Sequence, residues 1–310
     1  MKISIGCNIR TGPFGGGNQV NRALAEHFQG MGAEVSFNLK APNLDLIILV
    51  DPRTNLKSIA YGDREVLKYM MFKNSNVLVL QVVHECDERK GTKGLNQRLS
   101  WANKIADYTV FISNWQRDLF LRQGYTFNNH CVIRNGSDQR IFFSKPSLTW
   151  SRNEPFRLVT HHYAGNWMKG FDIYKKIDEM LGLDQWQERI VFTYIGNVPK
   201  DFKFKNTRHI ELLEESSLAK ELRNHHAYVT GSINEPAGLH HIEGALCGLP
   251  LLFRESGALP EYCKGFGENF SSTHDFTVKL EQLMSNYDDL VIKLKSYPYD
   301  FNKMCQEYED

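Results

Sequence analysis

The stretch AYVTGSINEPAGLHHIEGALCGLPLLF, residues 227 to 253, reads as a strand, a loop, a helix and a second strand. The apolar runs Ala227 to Thr230 and Pro250 to Phe253 have the length of buried strands. Gly238 to Cys247, between them, has helical spacing, and strands joined through a helix run parallel. This stretch therefore predicts an α/β protein with a parallel sheet.

The same alternation of strands and helices continues along the whole chain, as in a doubly wound α/β protein. The other predicted strands are Lys2 to Cys7, Glu34 to Phe37, Leu46 to Val50, Val77 to Val83, Tyr108 to Ile112, Cys131 to Arg134, Phe156 to Thr160, Ile190 to Ile195 and Arg208 to Leu212. The other predicted helices are Asn21 to Met31, Trp115 to Arg122 with Ser113 or Asn114 as a cap, Lys169 to Leu181, Ser217 to Asn224 and Asp275 to Tyr297.

The pattern is interrupted once, by the polar stretch SDQRIFFSKPSLTWSRNEP at residues 137 to 155. We interpret this stretch as a linker between two domains, residues 1 to 148 and 149 to 296. The charge distribution agrees, because residues 1 to 150 carry 19 basic and 12 acidic side chains, whereas residues 151 to 310 carry 18 and 24. The net charge of +1 gives no reason to expect a nucleic-acid partner.

Composition and cysteine usage indicate the compartment. With 310 residues, 42% hydrophobic and 24% charged, the chain has the composition of a soluble globular protein. Its six cysteines lie far apart without a C-x-x-C pair, which favours a reducing compartment. The start MKISIGCNIR reads as a buried strand rather than a signal peptide, and the longest apolar run, residues 44 to 50, is too short to span a membrane. We expect a cytoplasmic protein that at most touches a membrane from outside.

A glycine-rich loop, GPFGGGNQ at residues 12 to 19, follows the first predicted strand and precedes the first helix. Glycines let backbone N–H groups approach an anion, and a helix N-terminus adds positive potential. The loop is neither G-x-G-x-x-G nor a P-loop. Taken alone, it is equally compatible with a plain tight connection.

Two further motifs indicate a site for a charged ligand. In EPAGLHHIE (235 to 243), the amides of Gly238 and Leu239 could hold a diphosphate, and Glu243 could accept both hydroxyls of a ribose. In NWMKGFD (166 to 172), Lys169 at a helix start could pair with the same diphosphate. The alternative is that Glu235 and Glu243 are solvated and Lys169 is surface charge. An unpaired carboxylate among Ile242, Ala245 and Leu246 would be costly. This cost argues against the alternative that Glu243 is merely a solvated side chain.

The order of motifs along nearly the whole chain resembles that of the family-four retaining glycosyltransferases, which have the GT-B fold. The motifs are the glycine loop, ISNWQRDLF (112 to 120), VIRNGSD (132 to 138), NWMKGFD (166 to 172), FTYIGN (192 to 197), NEPAGLHHIEGALCGLP (234 to 250) and SGALPEY (256 to 262). The stretch HECDERKGTKGLN (84 to 96) also resembles a bacterial subgroup that builds surface polysaccharides.

The resemblance implies two Rossmann-like domains with parallel sheets facing across a cleft, acceptor-binding at the N-terminal side and donor-binding at the C-terminal side. A terminal helix within residues 297 to 310 would pack back onto the first domain. The implied activity is the transfer of a hexose from a nucleotide-diphosphate sugar to a glycan or lipid-linked glycan, with retention of anomeric configuration. Neither a metal ion nor another cofactor would be needed, since helix termini and basic side chains stabilise the leaving diphosphate.

The resemblance also implies roles for individual residues. The catalytic set would be Glu235, Lys169 and His84, with His84 touching the sugar. The donor would be bound by Gly15, Gly16, Gly17, Asn166, Lys169, Glu235, Ala237, Gly238, Leu239 and Glu243. Asn135, Gly136 and Asp138 belong to a structural signature between the domains.

One departure from the family concerns the donor phosphates. Members usually carry an arginine a few residues before the lysine, and THHYAGNW (160 to 167) has none. Either Lys169 and backbone amides suffice, or His161, His162 or Asn166 contributes. The departure also leaves open a second function, a nucleotide-sugar-binding protein of the same fold with impaired catalysis.

Two other functions fit the sequence less well. The histidine pairs 161–162, 225–226 and 240–241 suggest a metallohydrolase, but adjacent histidines diverge on a strand or a helix, and no HExxH motif is present. A dinucleotide-dependent oxidoreductase lacks the fingerprint glycines and the acidic residue at the end of strand two, where Phe37 and Asn38 stand.

The basic first half has two interpretations. It would suit an anionic acceptor or the anionic face of a membrane that carries a lipid-linked one. Alternatively, the opposite charges on the two halves would favour closure of the domains, and the sequence supports both interpretations equally.

Overall fold

The computed structural model describes residues 1–12, 14–127, 129–145 and 149–310. The chain forms two compact units, one of Met1–Asn135 with Phe301–Asp310 and one of Gly136–Asp300. The boundary predicted after residue 148 falls on residues 146–148, which lie outside the described part. No helix in the described ranges is long and apolar enough to cross a membrane.

The first unit is built on a six-stranded parallel sheet with strand order β2-β1-β3-β4-β5-β6. Its strands are β1 (Lys2–Ile5), β2 (Glu34–Ser36), β3 (Leu46–Leu49), β4 (Leu78–Val83), β5 (Tyr108–Phe111) and β6 (His130–Val132). The helices between them are α1 (Gly16–Gly30), α2 (Asp63–Phe72), α3 (Asp87–Lys90), α4 (Leu95–Ala102) and α5 (Asn114–Arg122).

The sheet of the first unit is buried on both faces, as the apolar strands require. Ile3, Ile47 and Val83 have no exposed surface. Helix α5 starts as predicted, because the Ser113 side chain caps it by accepting a hydrogen bond from the Gln116 backbone N–H at 3.2 Å.

The second unit repeats this architecture with strand order β12-β11-β10-β7-β8-β9, again all parallel. Its strands are β7 (Phe156–His162), β8 (Ile190–Gly196), β9 (Arg208–Ile210), β10 (Ala227–Thr230), β11 (Leu251–Arg254) and β12 (Gly267–Phe270). Its helices are α6 (Phe171–Leu181), α7 (Asp184–Gln187), α8 (Glu215–Leu222), α9 (Leu239–Leu246), α10 (Leu259–Cys263), α11 (Phe276–Ser285) and α12 (Tyr287–Leu294).

The last helix, α13 (Phe301–Glu309), belongs to the first unit, where it contacts α1. Its residue Glu309 lies 3.1 Å from Nε2 of His27, near the end of α1.

Two predictions about elements are wrong, and several elements were missed. The single helix predicted for Asp275 to Tyr297 is two helices, because Asn286 leaves the helical conformation and its side chain donates a hydrogen bond to Glu268 at 3.0 Å. The predicted linker is partly core, since Ser137, Asp138 and Phe142 are buried. Helices α2, α3, α4, α7 and α10 and strand β12 were not assigned from the sequence.

The predicted fold class is confirmed. The described chain is mixed α/β, with two six-stranded parallel sheets covered by helices, and each unit has the topology of a Rossmann-like domain.

Candidate functional site

Each sheet contains one point at which the strand order reverses. In the second unit this point lies between β7 and β10, because the chain runs from β7 outward to β8 and β9 and then returns to β10 on the other side of β7. Ligands of open α/β sheets bind beyond the carboxyl ends of the strands at such a point. The loops that follow β7 and β10 contain Lys169 and Glu235.

Lys169 and Glu235 form an ion pair at this point. Lys169 Nζ lies 2.9 Å from Glu235 Oε2, and the two side chains are only 13% and 7% exposed. The interpretation of Glu235 as a solvated loop carboxylate and of Lys169 as surface charge is therefore wrong. Lys169 also does not begin α6 as predicted, since it ends a 3₁₀ turn, Trp167–Lys169, and α6 starts at Phe171.

Gly170 allows the two loops to approach each other. Its φ of +94° favours glycine, and a Cβ there would lie 2.2 Å from the carbonyl carbon of Gly231 in the loop after β10. A backbone hydrogen bond of 2.8 Å from Ile233 N–H to the Met168 carbonyl joins the same loops. Lys169 is thus held opposite Glu235 by backbone contacts on either side of it.

The SGALPEY motif fixes the backbone of Glu235 from a third direction. The N–H of Ala258 donates to the Glu235 carbonyl at 2.8 Å, and the N–H of Asn234 donates to Ser256 Oγ at 2.9 Å. Asn234 has a φ of +50°, a left-handed conformation that asparagine tolerates better than most residues. The SGALPEY motif, which is part of the family resemblance, thus supports the Glu235 loop.

Helix α9 begins beside this ion pair, after Ala237 and with Gly238 as its N-cap, and Leu239 is its first residue. The four N-terminal amides of a helix lack intrahelical acceptors, and its dipole attracts an anion. Its N-cap, Gly238, has no side chain that could cap the helix. A Cβ on Gly238 would lie 2.5 Å from His240 Nδ1 and 3.1 Å from Glu235 Cδ, so a larger residue would disturb the site.

Glu243 lies on α9 and is 2% exposed, which excludes the solvated alternative. Its Oε2 lies 2.6 Å from Nε2 of His161 in β7. The ring of His161 also contacts Tyr228 of β10, whose hydroxyl lies 3.1 Å from Nδ1. Glu243 Oε1 is buried and has no hydrogen-bond partner among the described residues.

His240 and His241 are buried in α9 next to the ion pair, and they are not arranged as metal ligands. His240 Nε2 lies 2.9 Å from Thr230 Oγ1, and neither ring nitrogen of His241 has a hydrogen-bond partner within the described ranges. Burial lowers the pKa of His240 well below its ordinary value and that of His241 to about 3. Both rings are therefore neutral at pH 7. The described residues contain no group of three or more His, Cys, Asp or Glu that could hold a metal ion.

Asn166, another predicted donor-binding residue, precedes the 3₁₀ turn and is exposed. Its carbonyl accepts a hydrogen bond of 3.0 Å from the N–H of Lys169. The structure therefore places it next to Lys169 through the backbone.

The remaining predicted site residues lie in the first unit. Gly15 is the N-cap of α1, and Gly16 and Gly17 form the first residues of that helix. A Cβ on Gly17 would meet no atom within 4 Å, so packing of the described residues does not require glycine there. These glycines follow β1, next to the point where the order of the first sheet reverses between β1 and β3.

His84 directly follows β4, as predicted, and is half-buried. It is close enough to buried Asp51 to affect the pKa of that carboxyl group. Burial raises the pKa of Asp51, but hydrogen bonds from Arg53 and the charge of His84 outweigh it, so the pKa lies below its ordinary value. Arg53 binds Asp51 with two side-chain nitrogens, at 2.9 and 2.6 Å.

Sequence reasoning missed two residues of the second unit. Tyr228 was assigned only to a buried strand, and Arg254 to none of the motifs. Arg254 Nε donates to the Gly231 carbonyl at 2.8 Å, and its Nη2 pairs with Asp172 at the start of α6. An arginine at the end of a buried run, LLFR, was the available signal, because a buried guanidinium requires partners.

No protein-family model matches the chain, and no curated protein matches it significantly. Solved structures do match over nearly its full length. HepE of Anabaena in complex with UDP-glucose is 12% identical, with a TM-score of 0.73 over 100% of this chain and 98% of HepE. Sucrose-phosphate synthase from Thermosynechococcus elongatus is 11% identical, with a TM-score of 0.70 over 99% and 97%. A glycosyltransferase from Rickettsia africae ESF-5 is 12% identical, with a TM-score of 0.69 over 99% and 96%. The likeness shows that this chain has the GT-B fold.

Proposed function

We propose that this protein is a glycosyltransferase that uses a nucleotide-diphosphate sugar as donor. The observation that carries the proposal is the Lys169–Glu235 ion pair, which lies where the second sheet reverses its strand order, beside the start of α9 and its N-cap Gly238. An ammonium group and the amides of a helix N-terminus suit a diphosphate, and a nearby carboxylate suits sugar hydroxyls. The structural similarity to HepE, whose structure contains UDP-glucose, supports the same class of donor.

The proposed reaction breaks the bond between the anomeric carbon of the sugar and the diphosphate oxygen. Lys169 Nζ and the amides of Gly238 and Leu239 would stabilise the negative charge that develops on this oxygen. The acceptor hydroxyl would bond to the same carbon, and its proton would pass to the leaving phosphate. The family resemblance implies that the anomeric configuration is retained and that the transferred sugar is a hexose, and we include both in the proposal.

Lys169 and backbone amides also make a metal ion unnecessary in this proposal. In the family, an arginine and a lysine together neutralise the diphosphate, and here Lys169 and the amides would do so without the arginine. His161 would not replace the arginine, because it is bonded to Glu243. His84 and Gly15 to Gly17 remain proposed contacts of the donor, based on the resemblance alone.

The decisive experiment is a panel of UDP-, GDP- and ADP-sugars, scored by thermal stabilisation and by nucleotide release in the presence of a chelator. We expect one base to stabilise the protein and its sugar to be released or transferred without added metal. Release that depends on a divalent cation would contradict the metal-independent part. Absence of any stabilisation would contradict the donor class.

A catalytically impaired nucleotide-sugar-binding protein is the second candidate, and one observation favours it. Lys169 is engaged by Glu235, and the family's arginine is absent from residues 160 to 167. Stabilisation by a nucleoside diphosphate, with no hydrolysis or transfer for any sugar in the panel, would establish this alternative over the enzyme.

For the acceptor we propose an anionic glycan or a lipid-linked glycan at the cytoplasmic face of a membrane. The support is the basic excess of the first unit. Counted within the units of the structure, the first carries 18 basic and 14 acidic side chains, and the second 19 and 22. Binding to vesicles that contain anionic lipid should be lost at high salt, whereas donor affinity should change little. Vesicle binding that resists salt would contradict an electrostatic contact.

A further inference from the structure

The buried residues Tyr228, His161 and Glu243 form a continuous hydrogen-bonded chain across β10, β7 and α9. The hydroxyl of Tyr228 lies 3.1 Å from His161 Nδ1, and Nε2 of the same ring lies 2.6 Å from Glu243 Oε2. The backbone N–H of His161 also donates to the Tyr228 hydroxyl at 3.0 Å. The imidazole is therefore held at both ring nitrogens, and it holds the carboxylate in turn.

We infer that His161 is a positioning residue that occupies one oxygen of the Glu243 carboxylate and leaves the other, Oε1, for a single ribose hydroxyl of the donor. The inference rests on the proposed function, because the ribose belongs to the nucleotide-sugar donor. It changes the expectation from the sequence, in which Glu243 accepts both ribose hydroxyls.

The hydrogen-bond directions follow from the groups present. The phenol of Tyr228 stays protonated, since burial raises its pKa well above the ordinary value. It accepts from the His161 backbone N–H, and its own proton lies within reach of both Nδ1, at 3.1 Å, and the His161 carbonyl oxygen, at 3.2 Å. Because a carboxylate oxygen can only accept, Nε2 carries a ring proton and donates it to Glu243 Oε2.

The second oxygen of Glu243 indicates that a ligand binds there. Oε1 is buried without a hydrogen-bond partner among the described residues, and an unsolvated carboxylate oxygen is costly. A ligand hydroxyl would supply the missing donor. Because His161 fixes Oε2, the carboxylate cannot turn to offer both oxygens equally, and the two ribose hydroxyls should contribute unequally to binding.

The test measures affinities by calorimetry for UDP, GDP and ADP and for the 2′-deoxy and 3′-deoxy forms of whichever diphosphate binds. For the wild-type protein we expect one deoxy form to bind about 10- to 100-fold more weakly, as for loss of a hydrogen bond to a charged group. The other deoxy form should lose less than about threefold. Equal losses for the two forms would overturn the inference.

Variants of His161 test its part. In His161→Leu the difference between the two deoxy forms should shrink to within about threefold, because the carboxylate can then rotate. His161→Gln, whose amide can reach the position of Nε2, should retain most of the difference in affinity between the two deoxy forms. His225→Leu is the matched control, since it removes another buried histidine of this unit, bonded to Thr193 at 2.9 Å, outside the site. It should discriminate between the forms like the wild type.

The outcomes separate the two proposals. Preserved discrimination in a folded His161→Leu, checked by thermal unfolding, would show that His161 does not position Glu243, while the proposed function would stand. If His161→Leu does not fold, His161→Asn takes its place, because its shorter amide cannot reach the position of Nε2, and preserved discrimination there would overturn the inference in the same way. If the wild-type protein binds none of the three diphosphates, the proposed function fails and this inference fails with it.

Discussion

Lys169 and Glu235 illustrate how a single ion pair serves both stability and the proposed chemistry. Both side chains are largely buried, so each compensates for the desolvation of the other. Two buried, opposite charges in contact tolerate the loss of one partner poorly. The residue that would stabilise the leaving diphosphate is thus also one on which the folded loops depend.

Replacing Lys169 by Met should therefore have two effects. We expect the free energy of unfolding to fall by about 3 kcal/mol, because Glu235 loses its buried cation, and Lys169→Met with Glu235→Gln should recover part of this loss. Transfer should slow by about 100-fold or more, since one stabilising charge of the leaving group is gone. Urea unfolding and initial rates measure the two effects. Lys175→Met, an exposed lysine of α6, is the control and should change neither.

Glu243 provides a prediction about donor binding. Glu243→Gln keeps the shape of the side chain but removes the charge that strengthens its hydrogen bond to a hydroxyl. We expect the dissociation constant of the donor nucleotide to rise about tenfold, measured by calorimetry. Glu179→Gln, at an exposed site on α6, should bind like the wild type. Unchanged affinity in Glu243→Gln would remove Glu243 from the nucleotide site.

At the scale of elements, the close approach of the loops after β7 and β10 depends on glycine. Gly170→Ala would place a Cβ 2.2 Å from the Gly231 backbone at a φ of +94°, and backbone atoms cannot yield as a flexible side chain can. Gly91→Ala is the matched comparison, because Gly91 also has a positive φ, +63°, but open space around it. Only the conformational penalty applies there, about 1 kcal/mol.

We therefore expect Gly170→Ala to lower the urea midpoint clearly more than Gly91→Ala does. The loop shift should also weaken nucleotide binding in Gly170→Ala alone. Equal destabilisation by the two substitutions would show that the contact between Gly170 and Gly231 does not limit the fold.

The elements also show what local sequence can predict. Strand Ala227–Thr230 has the bounds predicted for it, and most other strands differ by one or two residues at their ends. Helix α2 was missed, because Glu65, Leu67 and Lys68 face solvent beside Val66 and Tyr69, so the apolar stripe is short. The break at Asn286 depends on a bond to Glu268 in β12, which helical periodicity does not contain.

At the scale of the whole molecule, buried histidines couple stability to pH. Burial lowers the pKa of His225 and His226 to about 4 and that of His241 to about 3, from an ordinary 6.5. Between pH 6.5 and 4 the unfolded chain therefore binds protons that the folded chain does not. The free energy of unfolding must fall as the pH drops through this window, by up to about 1.4 kcal/mol per pH unit for each histidine.

His241 allows this coupling to be measured. His241→Leu should be about as stable as the wild type at pH 7, since the ring nitrogens gain no hydrogen bond from the described residues. When the pH falls from 7 to 5, the free energy of unfolding of His241→Leu, measured in urea, should decrease by about 1 to 2 kcal/mol less than that of the wild type. His274→Gln, at an exposed position, should follow the wild-type profile. A wild-type profile for His241→Leu would show that His241 is not buried in its neutral form.

The division into units changes the charge asymmetry seen in the sequence. Halves of +7 and −6 become units of +4 and −3, because residues 301–310 add three acidic residues and one lysine to the first unit and residues 136–145 leave it. The first unit therefore carries less net positive charge to attract an anionic acceptor than the first half of the sequence does, and the salt dependence of vesicle binding tests whether this charge suffices.

The sequence by itself determined the parallel α/β class, most strand positions, the loops that carry Lys169 and Glu235, and the helix that carries Glu243. These properties follow from spacing within about 20 residues, which sets backbone conformation and apolar faces. Only the tertiary structure decided that Lys169 meets Glu235, 66 residues away, and that His161 meets Glu243, 82 residues away. The physical reason is strand order: β10 returns to the side of β7, and no local pattern specifies which strands become neighbours.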